Sequence, residues 1–119
     1  MVTPSPASIV VMPFPFSDLS GTKLRPAVVL ADAGRNDWLL CQITSNPYSD
    51  ATAIELTNSS LKRGELSIVS YARPIKLFTA NESLMVKRIA IVKDETFTVI
   101  LTTIIEALRQ NLPSQVDHT

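Results

Sequence analysis

The sequence predicts a mainly β fold with one α element: a small antiparallel barrel of about six or seven strands, SH3-like in size, with a C-terminal helix. Three observations carry this. Short apolar runs recur along residues 8–92, with turn-forming residues closely spaced between them. A sustained 3.6-residue apolar stripe appears only near the end, over residues 95–110. The chain has 119 residues, of which 45% are apolar, so it is one domain able to bury a single core.

Residues 1–7 hold Pro4 and Pro6 and no basic residue, and read as a flexible lead-in rather than a signal peptide. Residues 8–16 form a first strand. Pro13 and Pro15 cannot donate to a ladder, so this strand ends at a sheet edge or leaves the sheet. It feeds a polar loop at 17–24. Arg25 and Pro26 open a second strand, 26–31, whose lack of alternation predicts burial on both faces. Residues 32–37 turn into a third strand, 38–44, which makes a hairpin with the second. A polar loop at 45–50 contains Pro47, and a short strand follows at 52–56. Residues 57–60 are turn-like, and 61–65 lead back into the sheet. Strands at 66–71 and 75–78 flank a second Arg-Pro step, Arg73-Pro74. Asn81 caps a single helical turn, 81–84. Residues 87–92 form the last strand. Lys93 or Asp94 starts the helix, whose stripe runs through Phe97, Ile100, Leu101, Ile104, Ile105 and Leu108 and is widened by Val99 and Ala107. The stripe reads first as core packing, and any part the barrel leaves bare would suit dimerisation. Residues 113–119 are a polar, frayed tail. The organisation is a lead-in (1–7), a domain (8–112) and a tail (113–119).

Composition excludes several chemistries. Formal net charge is zero, so a nucleic-acid partner would need a local basic patch. The one cysteine, Cys41, lies in an apolar run and is a core filler; no intrachain disulfide is possible, and the composition fits a reducing cytoplasm. No segment reaches the roughly 18 apolar residues of a membrane span. The only histidine, His118, stands near the chain end, a poor place for a general base. Neither zinc spacing nor a phosphate-cradling glycine loop is present, and the carboxylates are scattered, so no metal or other cofactor is expected.

What remains is Arg25 at a loop-to-strand junction and Thr44 at the end of the third strand. Each stands about nine or ten residues from a turn centred near Gly34 and Arg35, so hairpin pairing sets them roughly opposite each other. A guanidinium beside a hydroxyl suits phosphodiester chemistry on RNA, where the substrate brings its own nucleophile, the 2′-hydroxyl. The protein then needs only to orient the phosphate and stabilise charge on its oxygens, and the planar Arg fork matches two of them. A surface Arg beside a turn and a β-branched strand Thr are the plainer alternatives.

Residues 9–30 (IVVMPFPFSDLSGTKLRPAVVL) resemble the first two strands of the MazF/PemK-like toxins of bacterial toxin–antitoxin systems. Residues 41–45 (CQITS) resemble that family's strand ending in Ile-Thr, and residues 66–79 its later strand pair. The resemblance covers residues 8–108. It implies a small CcdB-like barrel, usually a homodimer, that acts as a metal-independent, sequence-specific endoribonuclease on single-stranded RNA. Cleavage would leave a 2′,3′-cyclic phosphate and a 5′-hydroxyl. The family's catalytic arginine and threonine fall on Arg25 and Thr44. Its groove-lining loop falls on 17–24, which makes Ser17, Asp18, Ser20, Thr22 and Lys23 substrate-binding candidates. Ser45, Tyr48 and Arg73 join them; Tyr48 offers a ring for stacking on a base, though a plain surface tyrosine fits the pattern too. Lys62, Arg63 and Lys76 are further cations for such a groove. The cognate antitoxin would thread a segment along it, in the cytoplasm and with no membrane involved. The sequence departs from the family at Ala7-Ser8, where Gly-Asp or Gly-Glu is usual. Two other readings stay open: a CcdB-like gyrase-binding toxin, and a small-barrel binding module without catalysis.

Overall fold

The centre of the sheet is the hairpin of β2 (Leu24–Gly34) and β3 (Asp37–Thr44). Its tight turn places Arg35 (φ 54°) and Asn36 (φ 65°) in left-handed backbone, which matches the right-handed twist of the flanking strands. Around it, a computed structural model describing residues 2–14 and 23–113 shows β1 (Ser8–Pro13), β4 (Ile54–Leu56), β5 (Leu61–Gly64), β6 (Ser70–Asn81) and β7 (Lys87–Val92), with one helix, α1 (Asp94–Arg109). The seven described strands form one antiparallel sheet in the order β4-β6-β3-β2-β1-β7-β5, rolled into a nearly closed barrel. This is the fold class the sequence predicts.

Neighbouring residues of β1 and β2 serve two different apolar clusters. Ile9, Val28, Cys41, Ile43 and Ala72 pack on one side, with Val92 of β7 and Ile100 of the helix. Val10, Met12, Ala27, Val29 and Leu40 pack on the other, with Met85 and the half-buried Trp38 and Phe78. Residues 27–30 are therefore all buried, as a non-alternating run requires. Cys41 is fully buried, and burial pushes its thiol up to about 12. It is core, not a nucleophile.

The structure corrects the sequence reading in the second half of the chain. Residues 66–71 and 75–78 are not two strands. β6 is one strand of 12 residues, and residues 66–69 precede it outside the sheet. The amide of Leu66 donates to the Asn58 side-chain oxygen at 2.7 Å instead of to a neighbouring strand. Within β6 the pairing jumps from Cys41–Leu77 to Gln42–Arg73, so residues 74–76 bulge away from β3. Pro74 lacks an N–H and makes such a bulge inexpensive. Asn81 caps the turn Glu82–Leu84 by accepting from the Ser83 amide at 3.0 Å, as its residue type predicts.

The start of the chain is not the free lead-in that its prolines suggest. Pro4 is buried, and Val2 packs on the second cluster. Ala7 adopts φ 77°, donates to the Val29 carbonyl and accepts from the Val92 amide, each at 2.9 Å. The position that the resembling sequences fill with glycine is thus a left-handed one, and here an alanine bears that strain. In α1, Asp94 and Glu95 stand in the first turn and Arg109 in the last, in favour of the helix dipole. Only Ile100 is fully buried. Phe97, Leu101 and Ile104 pack on the first cluster, while Val99, Ile105 and Leu108 stay half or more exposed. The stripe is wider than one barrel covers.

Gly64 tests the packing of β5 on β7. It has φ +79°, and a Cβ there would run into the Ile89 carbonyl oxygen and come within 2.7 Å of the Ala90 Cα, both backbone atoms that cannot swing aside. Gly64→Ala is expected to cost about 2–4 kcal/mol in urea unfolding, from left-handed strain plus overpacking. Gly34→Ala, with φ +89° but open space around it, should cost only about 1 kcal/mol.

Candidate functional site

Arg25 lies near the start of β2, opposite Met12 of β1. The β2–β3 register pairs Ala27 with Gln42. Two residues further, the same register brings Arg25 level with Thr44, the last residue of β3. Paired residues of antiparallel strands share a face, and both side chains line one cleft of about 460 Å³. That is within the roughly 300–1,000 Å³ usual for small-ligand sites. Phe14 and Phe78 form one wall, stacked edge to face with ring centroids 5.0 Å apart. Gln42, Tyr48, Arg73, Lys76 and Leu77 complete the lining. Arg25 and Thr44 also line a second, more apolar cavity of about 310 Å³, with Ser45, Leu66, Ile68 and Ser70 among its other walls. The pair therefore stands on the rim between two hollows.

The bulge in β6 shapes the cleft. It carries Lys76 to the lining while Arg73, just before Pro74, stays in register with Gln42. The lining thus holds Arg25, Lys76 and Arg73. Arg73 is neutralised: its Nε donates to Asp50 Oδ2 at 2.7 Å, with both side chains largely covered. Among the described residues, no carboxylate lies within ion-pair distance of Arg25 or Lys76. A chain of zero net charge thus concentrates in one cleft two cations that no described carboxylate pairs with.

Thr44 is 8% exposed, and its hydroxyl donates to the Asn46 carbonyl at 3.0 Å and accepts from the Asn46 amide at 3.2 Å. A ligand that takes the Thr44 proton must displace that carbonyl. The Asn46 side-chain oxygen accepts from the Tyr48 amide at 3.0 Å. Tyr48 (φ 51°) and Ser49 (φ 65°) both hold left-handed backbone, a costly conformation that clusters at functional sites. The Tyr48 ring is 71% exposed beside the cleft.

Of the residues singled out in the sequence, the fold brings Arg25, Thr44, Tyr48 and Arg73 to one cleft and Ser45 to the adjoining cavity. Lys23 is exposed just before β2, with its carbonyl accepting from the Phe14 amide at 3.3 Å. Ser17, Asp18, Ser20 and Thr22 lie outside the described residues. Lys62 is spent on Asp94 at 3.2 Å, and neither it nor Arg63, both on β5, lines the cleft. Sequence reasoning missed Gln42 and Asp50. Gln42 had a signal: it is the one polar residue in the apolar run 39–43, two positions from Thr44 and so on the same strand face. The partnership of Asp50 with Arg73 spans 23 positions and has no local signature. Among the described residues, no group of three or more His, Cys, Asp or Glu side chains is placed to hold a metal ion. No helix of the described residues is long and apolar enough to cross a membrane.

Comparison with known proteins follows the same lines. Residues 5–108 match the sequence profile of the PemK-like, MazF-like toxin of type II toxin–antitoxin systems. Among curated proteins no sequence match is found. An endoribonuclease from a Mycobacterial species, solved with its cognate antitoxin, superposes with a TM-score of 0.67 at 15% identity, over 95% of this chain and 100% of that one. A MazE–MazF complex from Deinococcus radiodurans gives 0.70 at 16% identity, over 91% and 97%. The Mycobacterium tuberculosis toxin MazF-mt6 gives 0.66 at 15%, over 86% and 96%. At these identities the likeness is one of fold.

The Asp50–Arg73 pair sets a pH dependence. The Arg73 guanidinium, then the Thr52 hydroxyl, lower the Asp50 carboxyl from 3.8 to about 2. A depressed carboxyl stabilises the fold above its unfolded value, near pH 4, and loses that contribution as pH falls toward 2. Asp50→Asn is expected to be less stable than wild type by about 1–2 kcal/mol at pH 7, allowing for solvent screening. Thermal melts of both proteins should converge between pH 4 and pH 2.

Proposed function

Because the chain belongs to the PemK-like, MazF-like toxins of type II toxin–antitoxin systems, we propose that it is an endoribonuclease that cuts single-stranded RNA at short sequences without a metal ion. The observation that carries this reading is the pairing of Arg25 with Thr44 in a cleft whose cations, Arg25 and Lys76, lack carboxylate partners among the described residues. Such a cleft attracts a polyanion and can meet the charge of a phosphorane-like transition state.

In this mechanism the substrate's 2′-hydroxyl oxygen attacks the adjacent phosphorus. The bond to the 5′-oxygen breaks, leaving a 2′,3′-cyclic phosphate and a 5′-hydroxyl. Water takes the 2′-proton and supplies one to the departing oxygen. Arg25 grips two phosphate oxygens with its planar fork and stabilises the charge that grows on them. Thr44 turns its proton from the Asn46 carbonyl to a phosphate oxygen, which fixes the phosphate against the sheet. Tyr48 offers a face for an unstacked base, and Ser45 and Lys23 lie where flanking nucleotides would pass. The aromatic wall of Phe14 and Phe78 gives a base an apolar surface.

The natural inhibitor of this cleft is a cognate antitoxin, as the Mycobacterial and Deinococcus complexes suggest by analogy. An antitoxin segment with acidic side chains opposite Arg25 and Lys76 would block the RNA path. The exposed part of the α1 stripe suits a homodimer, and the toxin would act in the cytoplasm, where mRNA is translated.

The test is cleavage of mixed-sequence single-stranded RNA in EDTA. Wild type should cut, and the fragments should carry 5′-hydroxyls that a polynucleotide kinase labels without prior phosphatase treatment. Arg25→Ala should lower kcat by about 10²–10³-fold, the size of losing one preorganised charge stabiliser. Thr44→Ala should cost about tenfold or more in kcat/KM. Failure of wild type to cut any of a varied RNA set overturns the nuclease reading; undiminished activity of Arg25→Ala overturns the site.

A further inference from the structure

We propose that Asp50 and Arg73 are positioning residues, an ion-pair latch that ties the 45–53 loop to β6 and so fixes Tyr48 beside the cleft. This rests on the nuclease reading and assigns Arg73 a role other than phosphate binding.

Arg73 lines the cleft, and by charge alone it reads as a third phosphate ligand. Its geometry says otherwise. The Nε proton goes to Asp50 Oδ2 at 2.7 Å, and the two side chains are only 18% and 12% exposed. The other carboxylate oxygen of Asp50 accepts from the Thr52 amide at 2.9 Å and the Thr52 hydroxyl at 2.7 Å. The Asp50 backbone is engaged as well: its amide donates to the Pro47 carbonyl at 2.8 Å, and its carbonyl accepts from Ala53 at 3.1 Å. Both carboxylate oxygens and both backbone groups thus hold the loop in shape, and Arg73 holds Asp50 to the sheet.

The loop needs such a tie. None of residues 45–53 is buried, so apolar packing contributes little to holding it. Its middle, Tyr48 and Ser49, sits in left-handed backbone that relaxes unless the surroundings prevent it. One end is pinned by the Thr44–Asn46 hydrogen bonds, the other by Asp50. Arg73 is itself well anchored, in register with Gln42 and immediately before the bulge at Pro74. The latch therefore transmits the position of the sheet to the Tyr48 ring. A single broken partner leaves the other charge partly buried and unpaired, so both substitutions should release the same loop.

The experiment compares Asp50→Asn, Arg73→Gln, their double variant, Tyr48→Ala and Tyr48→Ala/Asp50→Asn in the full chain. Two readouts are taken: amide hydrogen exchange of the free protein, and kcat and KM on single-stranded RNA. A latch predicts about tenfold faster exchange at residues 46–52 in Asp50→Asn and Arg73→Gln, through local opening and beyond the uniform change that lost global stability gives β1, β2 and β3. It predicts KM raised about five- to tenfold in both, with kcat changed less, and a double variant no worse than either single one. Asp50→Asn should add nothing to the KM of Tyr48→Ala, which a merely structural role would not produce. A phosphate-binding Arg73 predicts the opposite pattern: Arg73→Gln alone weakens binding, and Asp50→Asn, by freeing a cation, leaves KM unchanged or lowers it. That pattern, additive variants, or unchanged exchange at residues 46–52 overturns the latch. If wild type cuts no RNA, the nuclease reading has failed, and the exchange rates alone decide the latch.

Discussion

The register of β2 against β3 is the constraint on which the rest of this molecule depends. A slip of one residue would turn every side chain of a strand to the opposite face. Here both faces are apolar, since Val28 and Cys41 serve one cluster while Ala27, Val29 and Leu40 serve the other. A slip would also carry Arg25 and Thr44 out of step. The tight turn at Arg35 and Asn36 starts the count, two register shifts in β2 between Val29 and Gly34 offset it by two residues, and the buried run 27–30 lies across the inner of these shifts and the Arg25 end of the strand. The open end of the hairpin then has no freedom in what it presents. It presents a guanidinium beside a hydroxyl.

A second feature converts that pair into a cleft. β6 follows β3 for most of its length but lets three residues, 74–76, swing out around Pro74. Without the bulge, β6 would lie flat beside β3, with no reason for Lys76 to reach the lining. With it, the cleft gains a cation without a carboxylate partner among the described residues, and Arg73 stays in the sheet to hold Asp50. Two cations close in sequence thus take different work. Lys76 adds to the field of the cleft, while Arg73 spends its charge inside the protein. The difference is one of partner: Asp50 gives one carboxylate oxygen to Thr52 and the other to Arg73.

Much of the fold was legible in local pattern. The unbroken apolar run after Pro26 marked a strand buried on both faces, Asn81 marked its helical turn, and the stripe from Phe97 to Leu108 marked α1. The same method divided β6 in two at Arg73-Pro74, because a proline inside a strand normally ends it. It misplaced residues 66–69 by reading Leu66 to Tyr71 as a strand, while the Leu66 amide had a side-chain acceptor at Asn58. Lys62 and Arg63 looked like groove cations because charge has no address in a sequence; the fold set them on β5, with Lys62 paired to Asp94.

The sequence by itself determined the class of fold, the family, and the meeting of Arg25 with Thr44. The first two are written in residue types and their order along the chain; the third is written in the hairpin count only to within two residues, because Gly34 pairs with Asp37 and two register shifts in β2, between Val29 and Ala31 and between Asp32 and Gly34, complete it. Only the tertiary structure decided which cations line the cleft, that Arg73 is paired with Asp50, and that Ala7 occupies a left-handed site. Those depend on contacts between residues far apart in the chain, or on backbone angles that neighbouring strands impose, and no local pattern records either.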